Sequence, residues 1–245
     1  MKMILPEWKE KIFNLDWKKY NDTLYNSVSF NYFPKEQLDI DLIGETDVFY
    51  KSDVFKIVYV PIYKNASTSI KNSLNFEPVY IKPKKEKVFD IDIPEQYRDY
   101  KFFTIIRDPK SRWISGINEF INIYQDLGVD FDGDIKGSRK KFLLELKNNK
   151  FIFDGHTRPQ LSSIDFCFKY DIDLTLIKMD ERLEEKISTF IKDPIKLRHD
   201  NPIEKYKFKL ENYNFCYQIL NRYCMKNTSF LDLYSLDFYL YNNSF

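Results

Sequence analysis

The residues with the most chemical potential fall in two short runs. The first is Lys64-Asn65-Ala66-Ser67-Thr68-Ser69, which sets one full positive charge beside three small hydroxyls. Where a helix begins, its first backbone N–H groups are unpaired and its dipole end is positive, so a phosphate or sulfate is stabilised there. The second run is Arg107-Asp108-Pro109-Lys110-Ser111-Arg112, with Ser115 three residues on. A guanidinium recognises a phosphate monoester through two parallel hydrogen bonds. Asp108 and Pro109 are a suitable N-cap and first helical residue. Taken singly, each run also fits a capped helix that binds nothing.

Both runs follow stretches that read as buried strands, Val54 to Val60 and Lys101 to Ile106. After the second, Trp113, Ile117, Phe120, Ile121 and Tyr124 recur on one helical face. Leu174 to Met179 is a third strand, before a charged helix from near Asp180. Further helices are expected at Ser138 to Asn148 and along Leu210, Tyr213, Tyr217, Leu220 and Cys224. Lys82 to Lys87 reads as a loop, as does the segment holding Gly128, Gly133 and Gly137. Residues 1–50 show no clear periodicity beyond a short helix around Pro6 to Tyr20 and read as an irregular N-terminal layer. Strands alternating with helices predict a three-layer α/β fold, a central parallel sheet with helices on both faces. One domain, residues 1–245, is expected, with 51–245 as its core.

Lys and Arg number 38 against 37 Asp and Glu, a formal charge of +1. No global field draws the chain to nucleic acid or membrane, and any anion site must be local. Cys167, Cys216 and Cys224 show neither a disulfide framework nor metal spacing, and read as buried thiols in a reducing compartment. With no signal peptide and no long apolar run, a cytoplasmic protein is expected. No glycine lies between Gly44 and Gly116, so a Walker A loop is absent and an ATPase or kinase of that class is disfavoured. The histidines, His156 and His199, lack the supporting ligands of a metal site. The mixed-charge run from Asp180 to Lys186 reads as a solvated helix face.

In order and spacing, the two runs resemble the 5′-phosphosulfate loop and the 3′-phosphate motif of sulfotransferases that use 3′-phosphoadenosine-5′-phosphosulfate (PAPS). The nearest likeness is to carbohydrate sulfotransferases and their soluble microbial relatives. Asp154-Gly155-His156-Thr157-Arg158-Pro159-Gln160 resembles an Asp-x-His-x-x-Pro-Gln segment of that group. Leu197-Arg198-His199-Asp200-Asn201 resembles a cofactor-side loop, and Tyr234-Ser235-Leu236-Asp237-Phe238 the usual Tyr-x-x-Asp-Phe ending. The likeness spans about residues 54–240. Two departures stand out: Tyr63 precedes Lys64 where the family commonly has proline, and Ala66 stands in the region of a frequent glycine. Alanine suits that place provided the turn needs no positive φ.

The resemblance implies a P-loop-like sulfotransferase fold and transfer of a sulfuryl group from PAPS to a hydroxyl of a carbohydrate or small molecule, leaving PAP. Lys64 would stabilise charge on the leaving oxygen, while the loop from Asn65 and Ala66 through Ser67, Thr68 and Ser69 holds the 5′-phosphosulfate. Arg107 and Ser115 would grip the 3′-phosphate, helped by Arg112, and His156 would deprotonate the acceptor. The runner-up readings are a nucleotide-dependent phosphotransferase and a non-catalytic domain that binds PAPS, PAP or a sulfated glycan.

Overall fold

Ile57 to Tyr59 and Phe102 to Ile106 are continuous buried runs, as strands covered on both faces are. In this computed structural model the described residues are 7–32, 48–74, 76–80, 97, 99–123, 138–169, 172–198 and 207–245. The strands are β1 (Val48–Ser52), β2 (Ile57–Tyr59), β3 (Glu77–Tyr80), β4 (Lys101–Ile106) and β5 (Leu174–Lys178), in the spatial order β3-β1-β2-β4-β5. The helices in chain order are α1 (Glu7–Phe13), α2 (Trp17–Asn26), α3 (Ser67–Ser73), α4 (Pro109–Ile123), α5 (Ser138–Lys147), α6 (Asp165–Lys169), α7 (Leu183–Ile191), α8 (Lys207–Ile219) and α9 (Thr228–Asn243).

Strands β2, β4 and β5 run parallel, but β1 pairs antiparallel with both β2 and β3. The sheet is therefore mixed, which corrects the expected parallel sheet. The cause is local. Val54 and Phe55 are apolar like the strand that follows, yet they lie in a turn where Lys56 adopts φ 52 and Val54 is 86% exposed. That turn reverses the chain and makes β1 and β2 a hairpin. Pro78 sits in β3, an edge strand, where proline is tolerated.

Residue parity sorts the two faces. Ile57, Tyr59, Phe103, Ile105 and Ile177 cluster with Ile70 and Leu74 around α3 and with Leu183, Ile187 and Ile191 of α7. Val58, Val60, Phe102, Ile106, Leu174 and Leu176 belong to the larger core on the other side, with α4, α5 and the C-terminal helices. The predicted stripe of α4 is fully buried at Trp113, Ile117, Phe120 and Ile121, each large apolar side chain contributing about 1.5–3 kcal/mol.

The short helix expected around Pro6 to Tyr20 is two helices, α1 and α2, ending at Asn26. The chain beyond them lies beside the segment leading to His156. Val28 makes a parallel bridge with Ile152, Ser29 N donates to Ile152 O at 2.8 Å, and Ser29 Oγ donates to Glu145 Oε2 at 2.7 Å. All three cysteines are buried free thiols whose pKa values burial pushes up. Among the described residues no helix is long and apolar enough to cross a membrane. Lys82 to Lys87, Gly128, Gly133, Gly137 and His199 lie outside the described residues.

Candidate functional site

Two of the three parallel strands run directly into the two polar runs: β2 leads through residues 60–66 into α3, and β4 leads through Arg107 and Asp108 into α4. Carboxyl ends of strands are where open α/β sheets place ligands. Val60 N donates to Phe103 O at 2.9 Å and Thr104 Oγ1 donates to Val60 O at 2.7 Å, so the loop starts anchored on β4. Lys64 and Ala66 then adopt φ 67 and φ 59. Left-handed backbone at a non-glycine residue costs about 1–2 kcal/mol. Ala66 thus takes the positive φ at which alanine is not a neutral substitute for glycine.

Ala66 is also the N-cap of α3, and no side chain caps that helix. Its first-turn N–H groups are those a helix leaves without intrahelical partners. Ser67 is buried, Thr68 exposed and Ser69 half-buried. The Lys64 ammonium lies 3.2 Å from Glu119 Oε2, with the two side chains 23% and 35% exposed. Asn65 faces inward, its Nδ2 donating to Ile105 O and to Gln160 Oε1, each at 2.6 Å.

Arg107 joins the two runs: its Nη1 donates to Lys64 O at 2.8 Å. Burial lowers its pKa from the ordinary arginine value; a partly desolvated guanidinium attracts an anion more strongly than one in water. Asp108 caps α4 as expected, Oδ2 accepting from Ser111 N at 2.8 Å and Ser111 Oγ at 2.9 Å. Arg112 is 1% exposed, its Nε donating to Tyr63 O at 3.0 Å and its Nη1 to Arg158 O. Burial lowers its pKa to about 10, partly opposed by the Asp237 charge. In this arrangement Arg112 fastens two carbonyls behind the loop. Ser115 is half-buried in the following turn of α4.

His156 reaches the same side through a tight approach. An added Cβ at Gly116 of α4 would lie 2.3 Å from His156 O, so only glycine lets the helix and this segment pass. Asp154 Oδ1 accepts from His156 N at 2.9 Å, and Asp154 Oδ2 is 2.8 Å from His156 Nδ1. The imidazole is thereby oriented with Nδ1 toward the carboxylate. The Tyr63 ring packs on it at 4.6 Å between centroids and touches the space above Gly155.

Tyr63, Glu119, Gln160 and Asp237 are neighbours that sequence reasoning left without roles. Glu119 lies seven residues after Arg112, and hence on one face of α4, a spacing available in the sequence. Asp237 and Gln160 were visible only as letters of the family-like segments. Among the described residues no group of His, Cys, Asp and Glu is arranged to hold a metal ion. Comparisons with family models, curated proteins and solved structures find no match for this chain.

Proposed function

We propose that this protein is a PAPS-dependent sulfotransferase of the P-loop-like fold, acting on a hydroxyl, with a carbohydrate as the first acceptor class to test. One observation carries the reading: the Arg107 guanidinium donates to the carbonyl of Lys64, so the two family-like motifs form one cradle at neighbouring parallel strand ends. An uncapped helix start, a lysine and an arginine together suit a ligand with two anionic groups.

Bound PAPS supplies a sulfuryl group already attached to a good leaving group. Ser67, Thr68 and Ser69, with the N–H groups of the α3 start, hold the 5′-phosphosulfate. Arg107 and Ser115 take the 3′-phosphate, while Arg112 keeps the Tyr63 carbonyl in place. Lys64 sets its charge where the bridging oxygen becomes negative as its bond to sulfur breaks. Asp154 fixes the His156 ring through Nδ1, and His156 Nε2 accepts the proton that the acceptor hydroxyl loses as its oxygen bonds to sulfur. The reaction then rests on positioning and charge stabilisation.

Titration calorimetry tests the reading. PAP is expected to bind much more tightly than ADP, and Arg107→Ala to weaken PAP by about tenfold or more, as one charge-assisted hydrogen bond contributes about 1.5–3 kcal/mol. Equal affinity for PAP and ADP would remove the assignment. Transfer of labelled sulfate to a panel of oligosaccharides and small alcohols then separates an enzyme from a binding domain.

A further inference from the structure

Behind the cradle lies a largely buried polar cluster. Gln160 is 0% exposed and sits between the two motif segments. Its Oε1 accepts from Asn65 Nδ2 at 2.6 Å and from Arg107 N at 2.9 Å, and its Nε2 donates to Arg107 O at 2.9 Å. The carboxamide therefore pairs with both main-chain groups of Arg107, as a neighbouring strand would, and ties the loop residue Asn65 to the same point. Asn65 completes the clamp by donating to Ile105 O.

Gln160 is itself held from the other end of the chain. Asp237 of α9 accepts from Gln160 N at 2.6 Å and from Leu161 N at 3.0 Å. Tyr234, three residues earlier and so on the same helical face, donates to Thr157 O. Asp237 is 1% exposed, and burial raises its carboxyl pKa to about 6. An apolar side chain at 160 would leave the Asn65 amide, the Arg107 N–H and the Arg107 carbonyl without these partners, each buried loss costing about a hydrogen bond or more.

Resting on the sulfotransferase reading, we propose that Gln160 is the positioning residue that sets nucleotide specificity. Its carboxamide holds Asn65 and Arg107 in one frame, so that the loop and the guanidinium meet two anionic groups of one ligand at a fixed separation. PAP has such a pair, one phosphate on the 5′ side and one on the 3′ side; ADP carries both phosphates on the 5′ side.

Titration of PAP, ADP and inorganic pyrophosphate against wild type, Gln160→Met and Gln160→Glu tests this, with melting curves to establish folding. Gln160→Met is expected to lower PAP affinity by roughly tenfold or more, with a smaller loss for ADP and pyrophosphate, so that the preference for PAP shrinks. Gln160→Glu keeps the acceptor for Asn65 and the Arg107 amide but cannot donate to the Arg107 carbonyl, and is expected to lie between; it takes the place of Gln160→Met if that variant does not fold. A purely structural role would lower the melting temperature and leave the affinity ratio alone, and a folded variant with the wild-type ratio overturns the proposal. Equal wild-type affinity for PAP and ADP instead removes the sulfotransferase reading. Amide exchange then decides the positioning role: residues 63–66 and 107 are expected to lose protection together in the variant, and wild-type exchange rates there overturn it.

Discussion

The two strand-to-helix junctions at the carboxyl end of the sheet occupy equivalent places and are built in opposite ways. At β4 and α4 the chain turns within two residues, Asp108 caps the helix through Ser111, and Pro109 begins it. At β2 and α3 the turn is longer, passes through left-handed Lys64 and Ala66, and ends on a helix with no side-chain cap. The first arrangement satisfies its own backbone and lends rigidity. The second spends about 1–2 kcal/mol of strain at each left-handed residue and leaves donors open. Strain is kept at one junction while its neighbour is relaxed, the contrast expected if, as proposed, the loop binds the ligand and α4 supports it.

The largest effect should come from the charge in the strained loop. Lys64→Ala is expected to reduce turnover by about 10²–10³-fold, the range seen when one preorganised stabiliser of developing charge is removed. PAP affinity should change less, because an interaction made mainly in the transition state appears in kcat. Sulfate-transfer kinetics beside titration calorimetry measure both. If affinity collapses while turnover of the bound complex survives, Lys64 is an anchor, and the loop is then a binding device only.

Next in size is the group that supports both junctions from behind. Burial raises Asp237 to about 6 from an ordinary value of 3.8. Between those pH values the folded state binds more protons than the unfolded state, so stability falls as pH rises from about 4 to about 6 and is level above. At about 1.4 kcal/mol per pH unit the contribution is about 3 kcal/mol. Denaturant melts across pH 4–7 should show this slope in wild type relative to Asp237→Asn. Parallel pH profiles for the two proteins would show that Asp237 does not titrate in that window.

The contrast between the junctions also decides what the sequence could reveal. The α4 junction was legible because its devices are side chains: Asp108, Pro109 and the buried stripe from Trp113 to Ile121 follow rules of spacing. The residues of the α3 junction were equally visible, but its conformation was not. The serines suggest a capped helix, yet the cap position falls on Ala66, and nothing in the letters announces φ 59 there. The hairpin of β1 escaped for a related reason, since Val54 and Phe55 look like strand residues and act as turn residues. Long-range polar contacts leave the weakest trace of all. The bonds from Asn65 to Gln160 and from Gln160 to Asp237 span 95 and 77 residues, and no local pattern encodes them.

A smaller effect sharpens the comparison at the helix starts. Asp108→Ala removes the cap of α4 and is expected to lower stability by about 1 kcal/mol, within the usual 0.5–2 kcal/mol for such a loss. Thr68→Ala in the first turn of α3, where the side chain is exposed and no cap exists, should change stability by less than about 0.5 kcal/mol. Urea melts of the two variants under one set of conditions give the difference. Equal losses would mean that α3 has a side-chain cap after all, and the distinction between a satisfied and an open junction would fall.

One predicted change runs in the opposite direction. Ala66 holds φ 59 and ψ 22, a conformation that glycine adopts without penalty. Ala66→Gly therefore relieves about 1–2 kcal/mol of left-handed strain in the folded chain, while the added freedom of the unfolded chain takes back about 0.4–1 kcal/mol. Glycine is also an acceptable N-cap. The net expectation is a gain of about 0.5–1 kcal/mol in urea melts, with PAP affinity unchanged or improved because the amides of the first turn keep their direction. The same exchange at Pro109, in the relaxed junction, offers no such relief and should destabilise by removing a fixed φ at the first helical position. A loss of stability in Ala66→Gly would show that the loop is not strained at this residue and would leave its strain to Lys64.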